Sequence, residues 1–164
     1  MSFRVGTGYD AHTWAEGRPF ILGGVTIPHT KGLMGHSDAD ALSHAICDAL
    51  LGAAALGNIG QFFPDADPKW KGADSLLMLK ECGRMVKTKG WLIVNMDATI
   101  ICQKPKLAPY LVPMVRMIEE TLELNPDTVN IKAKTTEGMG FEGREEGLSV
   151  QAVALLERIR NNHD

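Results

Sequence analysis

Asp10 and His12 stand two residues apart in "GTGYDAHTW", residues 6–14. The alternation over residues 3–9 predicts a strand leading into them, and strand side chains two apart share one face. A carboxylate and an imidazole on one face suit two chemistries. With a third N or O ligand they make a catalytic zinc site with an open fourth position. Alone they make a plain Asp–His hydrogen bond at a strand end, the commoner outcome for so short a motif. His44, in "GHSDADALSH" (35–44), is the candidate third ligand. It lies among apolar neighbours, where a lone imidazole is more often a satisfied core residue than a ligand.

The same stretch offers an anion site. His36 and Ser37 are expected to open a helix, where free N–H groups and the dipole favour a phosphate. Ser37 with Asp40 resembles a capping box that uses Asp in place of Glu. On the bland reading, Ser37 is a simple N-cap and Asp38 and Asp40 are solvated charges. In "KAKTTEGMGF" (132–141), Lys132 and Lys134 share a strand face and Thr135, Thr136 and Glu137 follow. That set suits a phosphate with a hard divalent ion, or a plain turn; it lacks P-loop spacing. Asp65 and Asp67 beside Phe62 and Phe63 suit a grip on ligand hydroxyls, or an Asp-Pro turn over buried aromatics. Arg144 with Glu145 and Glu146 reads as a solvated charge run. "CQKPKLAP" (102–109) reads as a connector able to present backbone groups.

Elements must position these residues. "PFILGGVTIP" (19–28) predicts two short strands about Gly23-Gly24. Residues 37–56 predict a helix, with Leu42, Ala45, Ile46, Ala49 and Leu50 on its apolar face. Residues 57–74 read as a long Gly-, Pro- and Asp-rich loop. A second helix is expected over 74–88, a strand over 91–102, and a third helix beginning near Pro109 or Pro113 in 104–124. A strand follows over 128–135, a Gly-rich loop over 135–147, and a closing helix over 148–161. This order predicts an α+β fold, a two-layer α/β sandwich with a mixed sheet and helices on one face. The small-residue face "GAAAL" wants a close partner, which points to an oligomer.

The bulk numbers agree. The 164 residues suit a single domain over 1–164, with 45% hydrophobic and 23% charged residues. A net charge of -3 argues against nucleic acid as the main partner. Three isolated cysteines without a CxxC pair suggest a reduced, cytoplasmic setting. "ALLGAAALG" is far short of the ~20 residues a membrane span takes, and "MSFRVGTGYD" has no apolar signal core. A soluble cytoplasmic protein is expected, with no membrane partner.

Taken together and in order, "GYDAH", "ILGGVTIP", "GHSDADALSHAICDALLGAAALGNIGQFFPD", "KGADS", "PKLAP", "KAKTTEGMGF" and "GREEG" resemble the 2-C-methyl-D-erythritol 2,4-cyclodiphosphate synthase family from about residue 4 to 158. The resemblance implies a homotrimer with active sites between subunits. It implies a cytidine diphosphate ester whose 2-phosphate attacks the β-phosphorus to release CMP. By position, Asp10, His12 and His44 would bind Zn²⁺, and Glu137 a second ion, Mg²⁺ or Mn²⁺. His36, Ser37, Thr135 and Thr136 would contact the phosphates, His36, Thr135, Thr136 and Glu137 as catalytic residues. Asp65 with Ile59, Gly60 and Phe63 would line the methylerythritol site. Cys102, Pro105, Lys106 and Leu107 would frame the cytosine. Phe141, Arg144 and Glu146 would line a central cavity able to take an isoprenoid diphosphate.

Asn58 departs from the family's usual Asp at the ribose, and Thr7 and Trp14 depart without touching the ligand set. The chemistry asks for no protein nucleophile, since a crowded polyanion attacks itself and needs neutralising, aligning and shielding from water; residues 61–72 are the expected cover. Two other readings use the same residues: a metal-dependent phosphohydrolase that activates water, and a non-catalytic binding module for an isoprenoid diphosphate.

Overall fold

"GTGYDAH" lies inside a strand rather than just past one. In the computed structural model, which describes residues 2–64 and 66–159, β1 runs Phe3–Glu16. After it come β2 (Phe20–Leu22), β3 (Val25–Ile27) and β4 (Lys31–Leu33), then helix α1 (Ala41–Ala53) and the single turn α2 (Ile59–Phe62). Next are α3 (Ser75–Thr88), β5 (Trp91–Ile101), α4 (Leu111–Thr121), β6 (Val129–Lys134), the turn α5 (Gly140–Gly143) and β7 (Gly147–Arg158). Short 3-10 turns at Pro68–Trp70 and Ala108–Tyr110 interrupt the two Pro-rich connections.

The main sheet has the order β4-β1-β7-β5-β6. β5 and β6 are parallel, and the other neighbours are antiparallel. β2 and β3 form a separate hairpin, turned at Gly23 and Gly24, both at positive φ (55° and 72°). Helices α1, α3 and α4 cover one face, so the expected mixed sheet with helices on one side is what forms. Leu42, Ile46 and Leu50 of α1 bury against Val150, Ala152 and Ala154 of β7 in one core. The opposite face keeps Val5, Tyr9 and Val153 exposed (64%, 55% and 42%). Among the described residues no helix is long and apolar enough to cross a membrane.

The expected closing helix over 148–161 is instead β7, the central strand, paired on both sides. Leu148, Val150, Ala152, Ala154 and Leu156 are buried at every second position. Positions 148, 152 and 156 fit periods of 2 and 3.6 alike, and the Ala-, Leu- and Glu-rich run has good helix propensity. The deciding contacts are non-local, with β1 and β5. The first helix begins at Ala41, not near Ser37, and residues 57–74 are less irregular than expected.

Candidate active site

Every second residue from Gly6 to His12 on β1 faces α1. A Cβ on Gly8 would stand 2.8 Å from the Ala45 carbonyl carbon, and one on Gly6 would stand 2.8 Å from the Ala53 Cβ. The bare glycines therefore let α1 lie directly on the strand, and this close approach brings His44 to Asp10. The ligand atoms of Asp10, His12 and His44 all lie within 4.8 Å of one another.

The hydrogen bonds around them decide which ring atoms face inward. His12 Nδ1 is 2.6 Å from the Met34 carbonyl oxygen. That oxygen only accepts, so Nδ1 donates and His12 Nε2 turns toward Asp10 Oδ2, 2.9 Å away. His44 Nε2 is 2.8 Å from Ser75 Oγ, and Ser75 Oγ donates to Asp38 Oδ1. A hydroxyl has one proton, so Ser75 must accept from His44 Nε2–H. His44 Nδ1 then faces Asp10 Oδ2 at 3.1 Å. With neutral rings, three lone pairs converge on one point, an arrangement that a cation relieves. Two imidazole nitrogens and a carboxylate oxygen, each oriented from behind, fit a divalent metal site.

The electrostatics agree. Burial pushes the Asp10 carboxyl up, but hydrogen bonds and charge from His12 and His44 outweigh it and hold it at about 2. Burial pulls His12 down, while Asp10 and the Met34 carbonyl raise it above the ordinary histidine value. All three side chains keep some exposure, leaving the site an open side.

The loop before α1 differs from the expected helix start. Asp40, not Ser37, is the N-cap, accepting from Ser43 N. Asp40 is fully buried and also accepts from Gly23 N, Gly24 N and Ser43 Oγ, at 2.8–3.0 Å. It is thus no solvated charge, and the anion at the start of α1 is the chain's own carboxylate. Ser37 is buried, with Oγ 3.3 Å from His44 Nε2, whereas His36 is exposed. Arg18 donates to the carbonyls of Gly35 (2.9 Å) and Ser37 (2.6 Å), bracketing His36. Gly72 N donates to His36 O and Asp38 N to Ala73 O, so residues 72–75 are strapped along this loop.

The other expected residues collect at the same end of the sheet, where β1, β5 and β6 all terminate. Cys102 N donates to Lys134 O, Gly138 N to Gln103 Oε1, and Lys104 pairs with Glu145 at 2.9 Å. Cys102, Pro105, Lys106 and Leu107 thus sit beside Thr135, Thr136 and Glu137. Glu137 is exposed and in the left-handed region (φ 55°). Lys132 is engaged by Asp97 on the open face, so it is not free for a phosphate. Phe141 lies in α5, and Arg144 pairs with Glu146 at 2.6 Å.

Two strands, β7 and β5, separate β1 from β6. Glu137 follows β6, beyond the sheet, in the loop whose Gly138 N bonds Gln103 after β5. Among the described residues the ligand atoms that converge are those of Asp10, His12 and His44, without Glu137. Asn58 caps α2, accepting from Gln61 N, and Ile59 N donates to Asp48 of α1, one turn past His44. Gly60 is exposed in the same turn. Phe63 is buried edge-on against Trp70 at 4.8 Å, and Asp67 caps the 3-10 turn. Asp65 lies outside the described residues. Sequence reasoning missed Arg18, Ser75 and the Met34 carbonyl; the "S" of "KGADS" was the one local signal for Ser75.

The chain is similar to known proteins over nearly its whole length. The YgbB family matches residues 3–157. The 2-C-methyl-D-erythritol 2,4-cyclodiphosphate synthase of Dechloromonas aromatica is 58% identical, covering 97% of this chain and 99% of its own. The same enzyme of Bacillus cereus is 56% identical, covering 95% and 99%. A solved CDP-bound form of this synthase is 38% identical over 94% of this chain and 100% of its own, with a TM-score of 0.86. The bifunctional IspDF of Campylobacter jejuni reaches a TM-score of 0.93 at 42% identity, covering 96% of this chain and 43% of that one. With this fold and a match of this extent, the chain belongs to the YgbB family.

Proposed function

We infer that this chain is a cyclising phosphorus–oxygen lyase of isoprenoid precursor biosynthesis. It converts 4-diphosphocytidyl-2-C-methyl-D-erythritol 2-phosphate to 2-C-methyl-D-erythritol 2,4-cyclodiphosphate and CMP. The observation that carries this is the convergence of Asp10, His12 and His44 in a chain 58% identical to a synthase over nearly its whole length.

The substrate supplies its own nucleophile, so the protein's task is to fold a polyanion onto itself. Asp10, His12 and His44 hold Zn²⁺ and Glu137 holds Mg²⁺ or Mn²⁺; when bound, these ions supply Lewis-acid stabilisation of phosphate charge. His36 and Ser37 orient the attacking 2-phosphate, with the His36 loop kept in place by Arg18. Thr135 and Thr136 donate hydroxyl hydrogen bonds to the diphosphate, where charge builds up as CMP leaves. Cys102, Pro105, Lys106 and Leu107 frame the cytosine, and Asn58 accepts from the ribose. Ile59, Gly60, Phe63 and Asp65 enclose the methylerythritol.

The Asp10 cluster on β1 and Glu137 after β6 leave the sheet on opposite sides of its central strand and do not converge, which supports a homotrimer with each site built by two neighbouring copies. The uncovered sheet face, bearing Val5, Tyr9 and Val153, supports the same assembly. Phe141, Arg144 and Glu146 line its central cavity, where an isoprenoid diphosphate binds. ³¹P NMR of the products tests the activity. Cyclic diphosphate with CMP is expected; a free monophosphate with inorganic phosphate would overturn it in favour of hydrolysis.

A further inference from the structure

We propose that Ser75 is a positioning residue for the metal centre, holding His44 in the tautomer that offers Nδ1 to the ion, with Asp38 in turn orienting Ser75. The inference rests on the metal reading above. It begins from a hydroxyl that the start of its own helix does not use, with Ser37 Oγ as a more distant neighbour at 3.4 Å. Ser75 is the first residue of α3 and fully buried, but the N-cap of that helix is Asp74, which accepts from Leu76 N. The Ser75 hydroxyl is therefore not needed to start the helix.

Both carboxylate oxygens of Asp38 hold Ser75, and Oδ1 accepts from Asp40 N as well, at 3.1 Å. Oδ2 accepts from Ser75 N at 3.1 Å, and Oδ1 accepts the hydroxyl proton. This pins the rotor of the hydroxyl and turns its lone pairs toward His44 Nε2 at 2.8 Å. Ser37 Oγ is farther from Nε2, at 3.3 Å, and itself accepts from Ala39 N. The result is a chain Asp38–Ser75–His44 that crosses three segments and ends on a nitrogen facing Asp10. Without the Ser75 acceptor, the His44 proton gains by moving to Nδ1, where it bonds Asp10 and occupies the ion's place. Outer partners of ligating histidines typically carry about 10- to 100-fold in metal affinity.

The test is Zn²⁺ affinity of the full chain, measured by competition with a chromophoric chelator, together with long-range ¹H–¹⁵N spectra of the histidine rings in the metal-free protein. Ser75→Ala is expected to bind Zn²⁺ about 10- to 100-fold more weakly and to lose the single Nε2-protonated signal of His44. Ser75→Thr, which keeps the hydroxyl, is expected to recover both. Asp38→Asn is the second variant should Ser75→Ala fail to fold, and it too is expected to weaken binding. Wild-type affinity and an unchanged His44 tautomer in Ser75→Ala, or in Asp38→Asn in its stead, would overturn the proposal. A different result separates the underlying reading: if the wild type binds Zn²⁺ no better than His44→Ala, the metal site itself fails.

Discussion

Gly8 and Ala45 touch backbone to backbone, with no space between them for a side chain. A Cβ on Gly8 would overlap the Ala45 carbonyl oxygen and lie 2.9 Å from Ala49 N. The obstacle is helix backbone, which cannot swing aside as a side-chain tip can. His44, adjacent to Ala45, depends on this contact to reach Asp10. Gly8→Ala is therefore expected to lower stability by about 1–3 kcal/mol through overpacking. Zn²⁺ binding should fall with it, as α1 lifts from β1. Urea denaturation of the metal-free protein and a Zn²⁺ titration measure the two effects. A variant unchanged in both would mean that α1 can shift without moving its ligand.

That contact also marks what the sequence could reveal. The two-residue spacing of Asp10 and His12 was enough to put them on one strand face, because strand periodicity is local. The hairpin at Gly23-Gly24 was readable for the same reason. His44 was readable only as a candidate third ligand, which the family resemblance decided, since nothing in its helical spacing tells that glycines at 6 and 8 admit the helix. The N-cap was misread because Ser37 and Asp40 are both good capping residues. The choice fell to Asp40 through Gly23 and Gly24, far away in the chain. The strand β7 was misread as a helix because its partners, not its own residues, decide its period. The tautomer-setting contacts, Met34 O to His12 and Ser75 to His44, join segments over twenty residues apart and leave no local trace.

Asp40 ties the β2–β3 hairpin to α1 through four donors, from Gly23, Gly24 and twice from Ser43. Burial pushes its carboxyl up, against the pull of those donors. Asp40→Asn keeps the shape but replaces one acceptor oxygen with an NH₂ that faces other donors. A buried group left unsatisfied costs about 1–3 kcal/mol, more when a charge is involved, so a loss of about 2–4 kcal/mol is expected. The midpoint of urea unfolding reads it directly. A loss below about 0.5 kcal/mol, typical of an indifferent surface change, would show that the hairpin and α1 do not depend on this carboxylate.

The thiols should be quiet in the folded protein. Cys47, Cys82 and Cys102 are all buried. Burial pushes the Cys102 thiol up to about 12 and raises Cys47 well above the usual value. The thiolate is the reactive form, and a raised value means less of it at any given pH. At pH 8 a thiol reagent such as DTNB is expected to label the native protein at least about tenfold more slowly than an unperturbed thiol, which ionises near 8.5. All three sites should react promptly in denaturant. Fast stoichiometric labelling of native protein would mean that the Cys102 segment opens.

The uncovered face of the sheet carries the last prediction. Val153 is at the middle of that face, opposite Thr7 on β1 and Asp97 on β5, and it is 42% exposed in the isolated chain. A carboxylate there meets water in a monomer, so Val153→Glu should cost a single chain no more than about 1 kcal/mol, chiefly through the like charge of Asp97 directly opposite. In a threefold assembly, symmetry repeats the substitution three times around one axis. Three like charges would then be brought together on a face that loses its water, which costs several kcal/mol. Sedimentation velocity should therefore find the wild type as a trimer and Val153→Glu shifted toward monomer. Circular dichroism should remain unchanged and Zn²⁺ should still bind, since Asp10, His12 and His44 belong to one chain. Cyclisation should fall, because the Glu137 half of each site would no longer reach the Asp10 half. A wild type that sediments as a monomer while turning over substrate would sink the shared-site assembly.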